Sequence, residues 1–189
     1  MAVIRVSGHQ GSGKTTVCKR LAEALGYNYI YVGGIFRKKA EAEGKEIEQY
    51  YDELGGNPEL EKKVDSEIAA LLNENDCQIV EGRMAPFWPT PFEKVNVLFT
   101  IDPVEGAKRQ QKRSENAHLQ LSDMMQLSAE RLANERSRYK KLYHIDDFLD
   151  EKHFDIVIET TNLDRDQVFR TTMRCLASHD IYPHGYSRR

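Results

Sequence analysis

At 189 residues the chain is long enough to bury a full hydrophobic core and too short for two catalytic domains of ordinary size. Its 27 basic and 30 acidic residues leave a net charge of -3, which excludes a general electrostatic pull toward nucleic acid or an anionic membrane. Three widely spaced cysteines, Cys18, Cys77 and Cys175, suit no disulfide framework, and no apolar run has the length of a cleavable leader or a membrane span, so a cytoplasmic protein with reduced thiols is expected.

In chain order, a short apolar strand at Ala2–Val6 leads into Gly8-His9-Gln10-Gly11-Ser12-Gly13-Lys14-Thr15-Thr16. A helix is predicted from Lys14 to Leu25, where Val17, Leu21, Ala24 and Leu25 make one apolar stripe and Gly26 stops it. Strand two covers Tyr27–Val32. From Gly33 to about Asn75 the pattern is helical and charged, broken at Gly44 and at Gly55-Gly56-Asn57-Pro58, which predicts three short helices. Strand three is Cys77–Glu81, followed by Gly82-Arg83 and a proline-rich loop from Pro86 to Pro91. Strand four is Val95–Ile101, with helices over Pro103–Arg113 and Ser122–Leu142 after it. Strand five at Asp155–Glu159 and a helix from Asp164 to about Ala177 complete the pattern, and a frayed tail is expected from Tyr182 to Arg189. Five strands alternating with helices predict one α/β domain over 1–189, with a parallel sheet covered on both faces and ligands at the carboxyl ends of its strands.

The chemistry starts at the glycine-rich loop. Glycines 8, 11 and 13 let consecutive backbone N–H groups turn toward a polyphosphate, so Gly8, Gly11, Ser12, Gly13, Lys14, Thr15 and Thr16 are the expected binding residues for a nucleoside triphosphate such as ATP. Lys14 would reach the β- and γ-phosphates, and the Thr15 hydroxyl would sit on Mg2+. Glu81, ending strand three, is the first candidate to order the metal's water; Asp102, ending strand four, competes with it. Guanidinium groups stabilise the charge that phosphoryl transfer spreads over oxygen. Arg37 and Arg83 each follow a strand end. Lys108, Arg109, Lys112 and Arg113 form i,i+4 pairs on one helix, and Arg131 and Arg138 lie seven apart on another. A solvated charged surface is the plain alternative for any one of them. Asp52-Glu53-Leu54-Gly55 matches the Asp-x-x-Gly of GTPases but follows no strand and has no guanine-reading companion. His118 reads as surface, and Tyr139 with Tyr143 as packing.

Beyond these readings the chain resembles the short-lid cytidylate kinases, P-loop nucleoside monophosphate kinases, from Val3 to about Met173. Gly33-Gly34-Ile35-Phe36-Arg37 and Glu81-Gly82-Arg83 are similar to two phrases of that family. The run from Arg131 through Arg138-Tyr139-Lys140-Lys141-Leu142-Tyr143 to Asp147 is similar to the segment after its lid. The resemblance implies a three-layer P-loop NTPase fold with a five-stranded parallel sheet, a helical substrate-binding arm at 33–72 and a short lid at 108–121. It implies ATP and Mg2+ as cofactors, Lys14, Arg109, Arg113, Arg131 and Arg138 as catalytic groups, Arg37 and Arg83 on the acceptor phosphate, and CMP or dCMP as acceptor. Two departures fall near the acceptor pocket: Tyr31 stands where the family commonly has serine, and Met84-Ala85-Pro86-Phe87-Trp88 replaces a shorter phrase. A kinase for a small hydroxylated metabolite and a nucleotide-sensing module without turnover are the rival expectations; small-molecule substrates and no nucleic-acid or membrane partner are expected, and the oligomeric state is open.

Overall fold

The computed structural model describes residues 2–183, so the tail expected to fray lies, beyond residue 183, outside the described residues. Five parallel strands form the predicted sheet: β1 (Val3–Gly8), β2 (Asn28–Tyr31), β3 (Gln78–Glu81), β4 (Lys94–Thr100) and β5 (Ile156–Glu159), in the order β2-β3-β1-β4-β5. β1 is the central strand; Val6 is in register with Glu81 on one side and with Val97 on the other. The chain therefore leaves β1 at the point where the strand order reverses, the crevice in which open α/β sheets bind ligands.

Alternation along the strands splits the core into two layers. Ile4, Val6, Ile79, Val97 and Phe99 pack with Val17, Leu21 and Leu25 of α1 (Lys14–Leu25). Gly26 ends α1 in the left-handed region at φ 70°. Behind the chain's end of β5, α7 (Arg165–Ala177) closes the same layer with Val168 and Leu176, capped at its start by Asp164. On the opposite face Val3, Val80 and Leu98 pack under α2 (Val32–Ala42), α3 (Ile47–Gly56) and α4 (Pro58–Leu72). The three helices expected between residues 33 and 75 are therefore present; Gly44 at φ 66° separates the first two, and Asn57 caps α4 with Pro58 in its first turn. α5 (Pro103–Gln111) and the long α6 (Leu121–Tyr143) complete the fold. No helix among the described residues is long and apolar enough to cross a membrane. Cys18 is buried in the core, while Cys77 and Cys175 are half-buried.

The turn out of β1 depends on glycine more at Gly8 and at Gly11, where a Cβ would meet the Gly106 carbonyl oxygen at 2.4 Å, than at Gly13. A Cβ on Gly8, at φ 143°, would meet the Phe99 carbonyl oxygen of β4 at 2.2 Å, whereas a Cβ on Gly13, at φ 85°, would meet nothing within 4 Å. Gly8→Ala is therefore expected to cost at least about 2 kcal/mol because backbone must move, and Gly13→Ala only the left-handed strain of about 1 kcal/mol. Urea unfolding of the two variants checks this difference; equal losses would show that the β4 contact is not what fixes residue 8.

Candidate active site

The loop from Gly8 to Lys14 opens onto a cleft lined by the ends of β2 and β3 at Tyr31 and Glu81, the α2–α4 arm and α6. Gly13 is the left-handed residue at the start of α1, so the first N–H groups of that helix face the loop, with the positive end of its dipole behind them. Lys14 Nζ folds back to donate to the carbonyl oxygens of Gly8 at 2.9 Å and His9 at 2.5 Å. Burial, reinforced by the neighbouring Arg83 charge, pulls its pKa down to about 7. Ser12 Oγ donates to the His9 carbonyl at 2.8 Å and pins the same turn. Gly8 and Ser12 thus shape the loop, while Gly11, Gly13, Lys14, Thr15 and Thr16 line the cleft.

Glu81 ends β3 almost wholly buried, and Thr15 Oγ1 donates to its Oε1 at 2.8 Å while the Tyr29 hydroxyl donates to its Oε2 at 2.5 Å. A carboxylate held against the hydroxyl that follows the loop lysine is an oxygen-rich pair, the donor chemistry that suits Mg2+, which takes one or two protein oxygens and completes its shell with phosphate and water. The structure separates the two metal candidates by position. Asp102 caps α5, accepting from the Glu105 N–H at 3.0 Å, and its own N–H donates to Thr161 Oγ1 at 2.7 Å. The strand-terminal carboxylate there serves a helix start, as the plain reading of such a residue allows.

Five of the six arginines singled out from the sequence line the cleft: Arg37, Arg83, Arg113, Arg131 and Arg138. Arg83 pairs with Glu135 at 2.9 Å and also donates to the Gly8 carbonyl, tying α6 to the start of the loop. Arg131 reaches the other oxygen of Glu135 at 3.2 Å. Arg138 lies over the rings of Tyr51, 4.6 Å from its centroid, and Tyr139, at 5.0 Å, and donates to the Tyr139 hydroxyl at 3.2 Å. Arg37 donates to the Tyr31 hydroxyl at 2.8 Å, so the tyrosine that departs from the family pattern holds a guanidinium at the cleft wall. Arg109 is not among the lining residues. Its guanidinium pairs with Glu105 at 3.2 Å and donates to the carbonyls of Thr160 and Thr161 at 3.0 and 2.9 Å, bracing the loop after β5. The expected common basic face of α5 fails because the helix stops at Gln111 and Arg113, with ψ 145°, is already extended backbone.

Several lining residues escaped sequence reasoning. Glu135, 6 % exposed, organises two of the arginines from the middle of a helix, and only its i,i+4 spacing to Arg131 signals it. Glu61 and Asp65 line the cleft from α4, with the Tyr143 hydroxyl 2.7 and 2.6 Å from their oxygens. Tyr139 packs edge-on against Phe148, 5.0 Å between centroids, as a packing residue does, whereas Tyr143 uses its hydroxyl in the cleft. The Asp-x-x-Gly sequence lies inside α3, away from any strand end, and His118 is exposed.

Residues 7–138 match the family model described as AAA domain. The cytidylate kinase of Thermococcus kodakarensis is 34% identical over 168 residues, covering 88% of this chain and 83% of that protein; the cytidylate kinase of Thermococcus sibiricus is 35% identical over 185 residues, covering 97% and 91%. Among solved structures, a shikimate kinase from Bacteroides thetaiotaomicron superposes with a TM-score of 0.60 at 19% identity over 95% of this chain and 98% of that one, a likeness of fold alone. With a triphosphate loop at the reversal point of its sheet, a hydroxyl–carboxylate pair beside it and relatives matched over nearly their whole length, the chain belongs to the cytidylate kinase family of P-loop nucleoside monophosphate kinases.

Proposed function

We propose that the protein transfers the γ-phosphoryl group of ATP to the phosphate of CMP or dCMP, with Mg2+. The observation that carries this reading is the single cleft in which the phosphate loop, the Thr15–Glu81 pair and the five arginines meet. Lys14 and the loop amides hold the donor's phosphates. Thr15 and Glu81 would hold Mg2+, which would supply charge neutralisation for the transferring phosphates. Arg37 and Arg83 hold the acceptor phosphate, and Arg113, Arg131 and Arg138 gather around the migrating group as residues 108–121 close over residues 33–72. Glu135 restrains Arg83 and Arg131 in that arrangement. An acceptor phosphate is already an anion, so no protein base has to remove a proton.

The test is detection of ADP with CMP, dCMP, UMP, dTMP, AMP and GMP, and with shikimate and gluconate, at fixed ATP and Mg2+. CMP or dCMP is expected to give the highest kcat/KM, with UMP at least about tenfold lower. A better rate with AMP or UMP overturns the base assignment, a better rate with a hydroxylated metabolite overturns the acceptor class, and ATP binding without ADP release under any condition overturns catalysis. Within this mechanism Arg113→Ala and Arg131→Ala should each lower kcat at least about tenfold and raise the acceptor KM less, because their contacts strengthen as charge develops in the transition state. A change confined to KM would move both residues to ground-state binding.

A further inference from the structure

We propose that Glu61 and Asp65, set by Tyr143, read the exocyclic amine of the acceptor base and are the groups that reject its carbonyl counterpart; this rests on the pyrimidine monophosphate reading above. The two carboxylates lie one turn apart on α4 and face the same cleft as Arg37 and Arg83. Their surroundings are not those of a solvated acidic surface. Glu61 is 9 % exposed, and its Oε2 is buried without a hydrogen-bond partner. Burial pushes the Glu61 carboxyl above its usual range, with the Asp65 charge acting in the same direction and the Tyr143 hydrogen bond against it. A buried carboxylate oxygen with no donor is costly, and the cost is removed when a ligand brings an N–H to it.

The tyrosine geometry narrows what that ligand must offer. One hydroxyl oxygen stands 2.7 Å from Glu61 Oε1 and 2.6 Å from Asp65 Oδ2, yet it carries one hydrogen and donates to one of them at a time. The cluster is thus short of donors by one carboxylate contact at Tyr143 and again at Glu61 Oε2. A planar group carrying two N–H bonds on one nitrogen supplies both. The side walls fit such a ring: Val32, Phe36, Tyr51, Leu54, Met84 and Trp88 line the same cleft with apolar surface. Cytosine presents an amine at its 4-position, whereas uracil presents there a carbonyl oxygen, which would face carboxylate oxygens with no proton between them. The arm that carries α4 therefore contributes the base selectivity, and the arginines contribute the phosphate affinity.

The experiment is kcat and KM for CMP, UMP and AMP with the wild-type enzyme and with Glu61→Gln, Asp65→Asn and the double variant, each accompanied by a thermal melt. An amide keeps the shape of the carboxyl and adds an N–H able to donate to the uracil carbonyl. The expected result is a CMP kcat/KM at least about tenfold lower, carried mainly by KM, together with a rise for UMP, so that the ratio of the two narrows by about a hundredfold in the double variant. The gain with UMP is what a merely structural role would not produce. Should Glu61→Gln unfold, Asp65→Asn, whose side chain is only half-buried, carries the test. Wild-type selectivity for CMP retained in the folded variants, or a parallel fall for CMP and UMP, overturns the assignment of these two residues alone. Wild-type turnover that does not favour CMP overturns the acceptor reading and this inference with it.

Discussion

Lys14→Met is expected to lower kcat/KM for phosphoryl transfer by at least about a thousandfold while leaving the free protein as stable as the wild type, or more so. The two halves of this result have one cause. In the free protein Lys14 Nζ is buried against two loop carbonyls, and its pKa falls to about 7 because charge there is desolvated and faces Arg83. The unfolded chain keeps that proton up to about pH 10.4, the ordinary lysine value, so between about pH 7 and 10 the unfolded state binds more protons than the folded one. Stability contributed by this group accordingly rises with pH across that window, and the methionine variant should lose that slope. A triphosphate reverses the balance. Its charge restores the ammonium, so at pH 8 the nucleotide should bind with uptake of close to one proton in the wild type and of far fewer in Lys14→Met. Calorimetry in buffers of different ionisation enthalpy reads the proton count directly. Equal proton uptake in both proteins would place the titrating group elsewhere, and near-normal turnover in a folded variant would remove Lys14 from the transfer step.

What could be read in the sequence, and what could not, follows from the range of the interactions. The phosphate loop and α1 are local: glycines at fixed offsets, an apolar stripe and a stop at Gly26 define them without any knowledge of the remaining chain. Strand three was legible because Ile79 and Val80 form a short apolar core between a charged helix and Gly82-Arg83, and its terminal Glu81 then faced the loop as the α/β topology requires. The arginines were legible only as a class. Arg83 and Arg113 reach the cleft, but Arg109, four residues before Arg113, is turned to the carbonyls after β5 because α5 ends between them. No periodicity announces where a helix yields its register. The contacts between Tyr143 and α4 span 82 and 78 residues of sequence, so a pair of carboxylates that reads as an ordinary helix surface becomes a buried, donor-poor cluster only after the arm folds over α6.

Glu81→Gln is the second substitution with a large expected effect, because it separates charge from shape at the metal side of the cleft. The amide keeps one oxygen to accept from Thr15, and Tyr29 can accept from its N–H, so the fold should lose no more than about 2 kcal/mol. Removing the negative charge is another matter. In the proposed mechanism Thr15 would be a neutral ligand and Glu81 the carboxylate holding Mg2+ or its water, and a single preorganised electrostatic group in a site of this kind is worth about a hundredfold or more in kcat. Turnover should therefore fall by about that factor, and the Mg2+ concentration giving half-maximal rate should rise with it. Tyr29→Phe removes a hydrogen bond to the same carboxylate and leaves its charge, so it should change the rate only a few-fold and the Mg2+ dependence little. Asp102→Asn should keep most of the helix cap, since an amide oxygen still accepts from the Glu105 N–H, and leave the Mg2+ dependence unchanged. If Glu81→Gln and Tyr29→Phe lose activity equally and neither alters the Mg2+ requirement, Glu81 serves to hold the end of β3 in place, and the metal's protein ligand is Thr15 alone.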